Sequence, residues 1–474
     1  MSAPVSRLDA VVPGFTRALR IFHSAAAQVP AYREFLGEHG VDPATIRTPG
    51  QFATVPPVTK ENYLRRYPRA SLFPNGDITR AGIWSTSSGS SGKPTYWPRN
   101  DLAAEHAAVL YDRVFRSSFA SHEAPTLLVV GFAMGNWIGG TYTLGAGLEL
   151  ARRGHRLSVI APGINVDTIL NNIADLGGNY ERIVLAGYPP FLKDVLDAAG
   201  PDVLGHDLRL LMAGENITET WRDHVLGRTG GRAEHTSLIY GTADAGIMGH
   251  ETPTTIAIRR AARDDEGLGT ALFGNCTVAP TFVEYDPRLR YTEVDDKGRL
   301  LFTIDNAIPL VRYRINDEGS VHSAADVARI LGESEHELAI STAADHGGFI
   351  ALRRRSDVAT SFYAINLYPD SIRPVLERND IADRVSGKFT LHKEESLELG
   401  PQLVLEVELA RNRCGDSALE ALLRAEVIAA LTRTSTEYRE LLATKGAAAN
   451  PMIRLHVFGS EVFQYDVKVS WAQS

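Results

Sequence analysis

Between residues 100 and 212 the chain alternates two kinds of segment, and this alternation limits what it can fold into. Ala103–Phe119 has helical spacing, Thr126–Val130 is an unbroken apolar run, and a glycine-rich turn leads into another helical stretch. The short apolar run recurs at Leu157–Ala161, Ile183–Leu185 and Leu210–Met212, with a helical segment at Asp167–Leu176. Runs that are apolar on both faces need cover on both sides, which intervening helices supply. The pattern predicts an α/β fold, with mostly parallel sheets flanked by helices. From Ile256 to Arg314 the character shifts toward strands and turns, most clearly at Arg299–Ile304. A polar stretch, Arg353-Arg354-Arg355-Ser356-Asp357, then separates two apolar segments. The expected organisation is a large N-terminal domain over residues 1–353, including a β-rich part, and a small α+β domain over 354–474. In the small domain Leu403–Leu409 alternates as a strand, Ala418–Leu442 is long enough for one two-sided helix, and Met452–Phe458 reads as a further strand.

Bulk properties exclude several functions. The 474 residues carry a net charge of −8 and no long Lys/Arg run, which argues against a nucleic-acid or anionic-membrane binder. Cys276 and Cys414 are far apart and form no metal or redox motif, so a reducing cytoplasm is expected. No signal-peptide pattern opens the chain, and no apolar run approaches the roughly 20 residues that span a bilayer. Any anion bound here must be held locally.

Such a local site is offered by Thr86-Ser87-Ser88-Gly89-Ser90-Ser91-Gly92-Lys93-Pro94. Glycines let successive backbone N–H groups converge on anionic oxygens, serine hydroxyls add donors, and Lys93 adds a compact positive charge. The spacing of Gly89 and Gly92, and the proline after the lysine, exclude a Walker A loop. The alternative is a flexible Ser/Gly linker. Trp84 before the run and Tyr96-Trp97 after it favour a phosphate-binding loop.

The stretch resembles the phosphate loop of the adenylate-forming enzymes (acyl-CoA synthetases, peptide-synthetase adenylation domains and luciferases), and most of all the phenylacetate-CoA ligase branch. Weaker support comes from turn residues near the N-terminus, Pro30-Ala31-Tyr32-Arg33, Pro57-Val58-Thr59-Lys60 and Tyr67-Pro68, which carry no chemistry themselves. Further motifs follow in the family's order. Ala213-Gly214-Glu215 ends an apolar run and resembles the segment that lies against adenine; read alone, it is an ordinary strand-to-helix turn. Tyr240-Gly241-Thr242-Ala243-Asp244 groups an aromatic, a glycine, a hydroxyl and a carboxylate. The resemblance implies that Tyr240 and Gly241 flank the nucleotide, that Thr242 reaches phosphate oxygens and that Asp244 serves Mg²⁺. The shorter Asp stands where Glu is usual, which points to a water-mediated metal contact.

Pro309-Leu310-Val311-Arg312-Tyr313-Arg314-Ile315-Asn316-Asp317 resembles the segment whose Asp accepts both ribose hydroxyls, a role that then falls to Asp317; an ion-pair cluster is the alternative. Arg355-Ser356-Asp357 resembles the nucleotide-touching Arg and the hinge Asp, which implies a mobile C-terminal domain; read alone, the stretch is a solvated basic turn. Lys468 stands where the family's adenylation lysine is found, though without its preceding glycine; the alternative is an exposed lysine on a last strand. Ala364, in Ala364-Ile365-Asn366-Leu367-Tyr368-Pro369, replaces a glycine that gives CoA's pantetheine room. Phe132 and Trp137 beyond the first apolar run, with Tyr188, are candidate walls for a flat, aromatic acid; the alternative is that they are core residues. His235 and His250 lack partner spacing and read as structural.

The resemblance implies an ATP- and Mg²⁺-dependent enzyme that activates a carboxylic acid as its adenylate and passes it to CoA. A second version transfers the acyl group to an amine or a carrier-protein thiol. A reading of another class is a non-catalytic nucleotide-binding protein on a decayed ligase scaffold. A homodimer is left open.

Overall fold

Residues 14–87, 95–274, 276, 279–334, 347–355, 360–363, 365–396 and 400–463 are described by the computed structural model of the chain. Thr126–Gly131 is buried along its whole length because both faces of the strand meet side chains from helices. Leu127 and Val129 join Ile169, Ile173 and Val195 on one side, while Leu128 and Val130 join Leu110, Phe115 and Leu150 on the other. Five strands run parallel in the spatial order Leu157–Ile160, Thr126–Gly131, Arg182–Gly187, Leu208–Ala213 and Thr236–Thr242. Thr126–Gly131 lies between the two strands that follow it in sequence, so the winding reverses there. Ligands of open α/β sheets bind outside the carboxyl ends of the strands at such a reversal.

The sheet continues with antiparallel strands in the order Gly246–His250, Thr281–Tyr285, Gly348–Arg355, Leu310–Ser323, Arg299–Ile304 and Tyr291–Val294, eleven strands in all among the described residues. The first part of the stretch read as strands and turns differs from expectation, because Pro253–Asp264 and Glu266–Phe273 are helices. Thr252 and Thr255 cap the first of them reciprocally, with Pro253 at its first position. Ile258, Ala262, Leu268 and Leu272 then bury one face against Phe282 and Phe349.

Near the N-terminus, helices Phe15–Gln28 and Pro30–Glu38 pack through Phe22, Tyr32 and Phe35 into a cluster with Tyr291 and Tyr313. Val58 bridges Tyr313, and the Arg314 N–H donates to the Val58 carbonyl at 2.9 Å. That pairing brings the proline turn before Lys60 against the Arg-Tyr-Arg segment.

A separate core runs from Phe362 to Ile453. Val385–Ser396 pairs antiparallel with Gly400–Leu409, which pairs parallel with Met452–His456. Leu391, Leu403, Leu405 and Val407 pack against Leu419, Leu423 and Val427 of the helix Ser417–Thr434. The single helix expected over Ala418–Leu442 is two, because Ser435 leaves helical geometry (φ −131°, ψ 115°) and caps a second helix, Thr436–Lys445, by accepting the Tyr438 N–H at 3.1 Å. Serine competes with the helix for its own backbone in this way.

This smaller part meets the larger one through buried polar pairs. Arg373 donates to Glu215 at 3.1 Å, and the Thr218 hydroxyl donates to Glu377. The Lys388 ammonium lies 2.7 Å from Asp194 and 2.9 Å from Glu408. Among the described residues, no helix is long and apolar enough to cross a membrane.

Candidate active site

The Ser/Gly stretch connects Ile83–Ser87 to Thr95–Arg99, two antiparallel strands with Ser87 opposite Thr95. Ser88, Gly89, Ser90, Ser91, Gly92 and Lys93 lie outside the described residues, as do Asp357, Ala364 and Lys468. Ser87 and Arg355 are described by backbone alone. The base of the hairpin is tied to the segment expected to line the acid pocket. The Thr86 N–H donates to the Asn136 carbonyl at 2.8 Å, and Thr86 bridges Trp137, which is half-buried.

Arg99, at the end of the returning strand, is only 5% exposed. Its guanidinium donates to the Ser85 hydroxyl and, at 3.5 Å, to the Ala243 carbonyl, and lies 5.3 Å from the centre of the Tyr142 ring. One buried cation thus joins the hairpin, the helix Ile138–Arg152 and the Tyr-Gly-Thr-Ala-Asp turn.

The other candidates stand at the carboxyl ends of adjoining strands. Phe132 follows Thr126–Gly131 and is buried edge-on against Tyr188, with ring centres 5.2 Å apart. Tyr188 follows Arg182–Gly187, and burial, with Glu215 nearby, pushes its hydroxyl up to about 12. Gly214 follows Leu208–Ala213 at φ +90°, a conformation that glycine adopts without strain. A Cβ there would stand 2.5 Å from the Tyr188 ring, so the residue type is fixed twice over. Glu215 beside it is engaged by Arg373.

The Tyr-Gly segment divides its work. The Tyr240 hydroxyl donates to Asp317 Oδ2 at 2.7 Å, with both residues buried, which joins two motifs far apart in sequence. Asp317 sits opposite Arg355 in the strand register. Gly241 is exposed, and the Thr242 hydroxyl accepts the Ala245 N–H at 3.0 Å, closing the turn. Asp244 is buried, accepts the Tyr313 hydroxyl at 2.7 Å and faces the Lys60 ammonium at 3.9 Å. Burial, with Asp244 adjacent, drives the Tyr313 hydroxyl far above its ordinary range.

As a metal ligand, Asp244 supplies one carboxylate with an ammonium close by. That donor set fits a hydrated Mg²⁺ arriving on substrate phosphates, since Mg²⁺ commonly keeps several waters and takes only one or two carboxylates. It does not fit a cage built from protein ligands alone. His250, held by the Glu251 carbonyl at 3.1 Å and lowered to about 4 by burial, points to no chemistry, and His235 lies 3.8 Å from Asp207.

Lys60, Arg99 and Arg373 were not legible as site residues. Lys60 follows the proline turn and has a reciprocal Thr59–Asn62 cap, signals of position and not of charge pairing. Arg312 in the Arg-Tyr-Arg segment serves structure: at φ +45° it donates to the Ala53 and Val55 carbonyls and pairs with Glu293 at 3.2 Å.

No protein-family model matches the chain, and no curated protein matches it by sequence. Among solved structures it is similar to 2-hydroxyisobutyryl-CoA ligase in the postadenylation state with R3-HIB-AMP, at a TM-score of 0.64 and 15% identity over 99% of this chain and 94% of that one. The same ligase in an open conformation with 2-HIB-AMP and CoA matches at 0.54 and 16% identity, over 91% and 95% of the two chains. Its thioesterification state, also with 2-HIB-AMP and CoA, matches at 0.52 and 14% identity, over 96% and 88%. These likenesses are of architecture: the chain has the fold of the adenylate-forming ligases.

Proposed function

We propose that a chain with this fold and these strand ends uses ATP to activate a carboxylic acid as its acyl-adenylate, then passes the acyl group to an acceptor. The observation that carries the reading is the Tyr240–Asp317 hydrogen bond, which holds a buried carboxylate beside the strand ends bearing Gly214, Thr242 and Asp244. An ionised carboxylate only accepts hydrogen bonds, which suits a ribose diol.

In the first half-reaction a carboxylate oxygen of the acid attacks the α-phosphorus of ATP. A new P–O bond forms, the bond from that phosphorus to the bridging oxygen breaks, and pyrophosphate leaves with the electron pair. Asp317 would accept the ribose hydroxyls, Gly214 and Glu215 would flank the purine with Tyr240 and Gly241, and Arg355 would touch the nucleotide. Ser87–Lys93 would hold the phosphates, Thr242 a phosphate oxygen, and Lys468 would offset charge gathering at the α-phosphate. Asp244 would meet Mg²⁺ through water; when bound, the ion neutralises phosphate charge. The acid would sit among Phe132, Trp137 and Tyr188, walls suited to a flat aryl group. Rotation about Asp357 would then admit the acceptor.

CoA is the first acceptor to test. An amine or a carrier-protein thiol is the second reading, favoured by Ala364 where the resemblance has glycine. The deciding experiment is acid-dependent exchange of labelled pyrophosphate into ATP over a panel of aryl and short-chain acids. Exchange with at least one acid is expected. ATP binding without exchange would leave a non-catalytic nucleotide-binding protein, and no ATP binding would overturn the reading altogether. Trapping the activated acyl group with CoA, against hydroxylamine alone, separates the two acceptors.

A further inference from the structure

Arg99 is a buried guanidinium whose partners are all neutral. Its contacts are the Ser85 hydroxyl, the Ala243 carbonyl and the face of Tyr142. No carboxylate lies within ion-pair distance of it among the described residues. A second buried arginine, Arg290, also neighbours Tyr142 and gives its Nε to the Ile247 carbonyl at 2.9 Å, so it brings no negative charge either. Among the described residues, most buried arginines are compensated. Arg222 lies 2.7 Å from Glu251, Arg259 lies 3.1 Å from Glu219, and Arg312 pairs with Glu293.

Taking a charge out of water costs several kcal/mol unless an opposite charge meets it. Burial accordingly pulls the proton affinity of Arg99 below its ordinary value. Guanidinium carries five N–H donors in a fixed fork, and two of them are used here. Its shape matches a carboxylate held by two parallel hydrogen bonds.

Place decides which anion completes it. Ser85 is one residue from Thr86, which holds the Asn136–Trp137 segment, and Tyr142 is one turn along the helix that this segment opens. Arg99 therefore stands at the hairpin base between the helix opened by Asn136–Trp137, which the adenylation reading makes a wall for the acid, and the turn that bears Thr242 and Asp244. We propose that Arg99 receives the carboxylate of the acid substrate and orients it for attack on the α-phosphate. This rests on the adenylation reading and adds to it the residue that recognises the reacting group.

The test compares wild type with Arg99→Met and Arg99→Lys in pyrophosphate exchange, using benzoate, phenylacetate and 2-hydroxyisobutyrate as probes, alongside calorimetric ATP affinity and thermal unfolding. Arg99→Met is expected to raise the KM for the acid about 10- to 100-fold, the range for losing a charged hydrogen bond, with ATP affinity changed less than about twofold. Arg99→Lys should fall between, and added guanidinium ion should restore part of the Arg99→Met activity. An equal loss of ATP affinity would assign Arg99 to the phosphates, and an unchanged KM for the acid would remove it from recognition; either overturns the proposal. Unfolding of both variants would make Arg99 a structural tie, which also overturns it. Wild type that exchanges with none of the acids would instead sink the adenylation reading, and the wild-type arm alone reveals that.

Discussion

Tyr240 and Asp317 show what one hydroxyl does in a site of this kind. The 2.7 Å bond orients a carboxylate that has little water to do so. Tyr240→Phe removes the donor and keeps the ring, so the carboxylate loses a charged hydrogen bond worth about 1.5–3 kcal/mol. A rise in the Kd for ATP of roughly tenfold or more, with the KM for the acid unchanged, is the expected calorimetric and kinetic outcome. If Lys468 has the role proposed for it, Lys468→Ala should depress exchange yet spare the use of a pre-made acyl-adenylate in thioester formation, because that role calls for its charge only while pyrophosphate departs. These residues could be picked out in the sequence as members of short motifs. Their bonding could not: Tyr240 meets Asp317 across the sheet, and Asp244 meets Lys60 only because the Val58–Tyr313 bridge carries the N-terminal turn there. Long-range charge pairing leaves no local trace, so Lys60, Arg99 and Arg373 stayed hidden.

At the scale of elements, the parallel strands were readable because burial on both faces writes an uninterrupted apolar run, as at Thr126–Gly131. The helix Pro253–Asp264 escaped because its apolar face is narrow and interrupted by arginines, although its Thr-Pro-Thr-Thr start was a legible cap. Serine and threonine around Ser435 broke a helix that length alone made continuous. Turn geometry is testable at Gly214. Gly214→Ala forces a methyl into the Tyr188 ring at a backbone angle unsuited to alanine, so a stability loss above about 1 kcal/mol is expected in denaturant unfolding. Adding Tyr188→Ala should return the part due to collision and leave the part due to φ, a separation that a double-mutant cycle measures.

For the whole molecule, the contact between the larger and smaller parts carries a pH dependence. Burial lifts the Glu377 carboxyl from 4.5 to about 7, against the opposing pull of Arg373 and the Thr218 hydroxyl. The folded chain therefore keeps this proton where the unfolded chain releases it. The stability so gained is complete below about 4.5 and lost as pH rises through about 7. Glu377→Gln mimics the protonated form, so it should stabilise the protein at pH 8 by something on the order of 2–3 kcal/mol and have little effect near pH 5. A thermal scan at both values checks the sign. Asp194, raised to about 6 by burial against the pull of Lys388, adds in the same direction. The joint is made of Arg373–Glu215, Lys388–Asp194 and Thr218–Glu377, pairs that water welcomes once they part. Were these pairs to separate, the surfaces they leave would be wettable instead of greasy, so an opened joint would offer passing chains little to stick to.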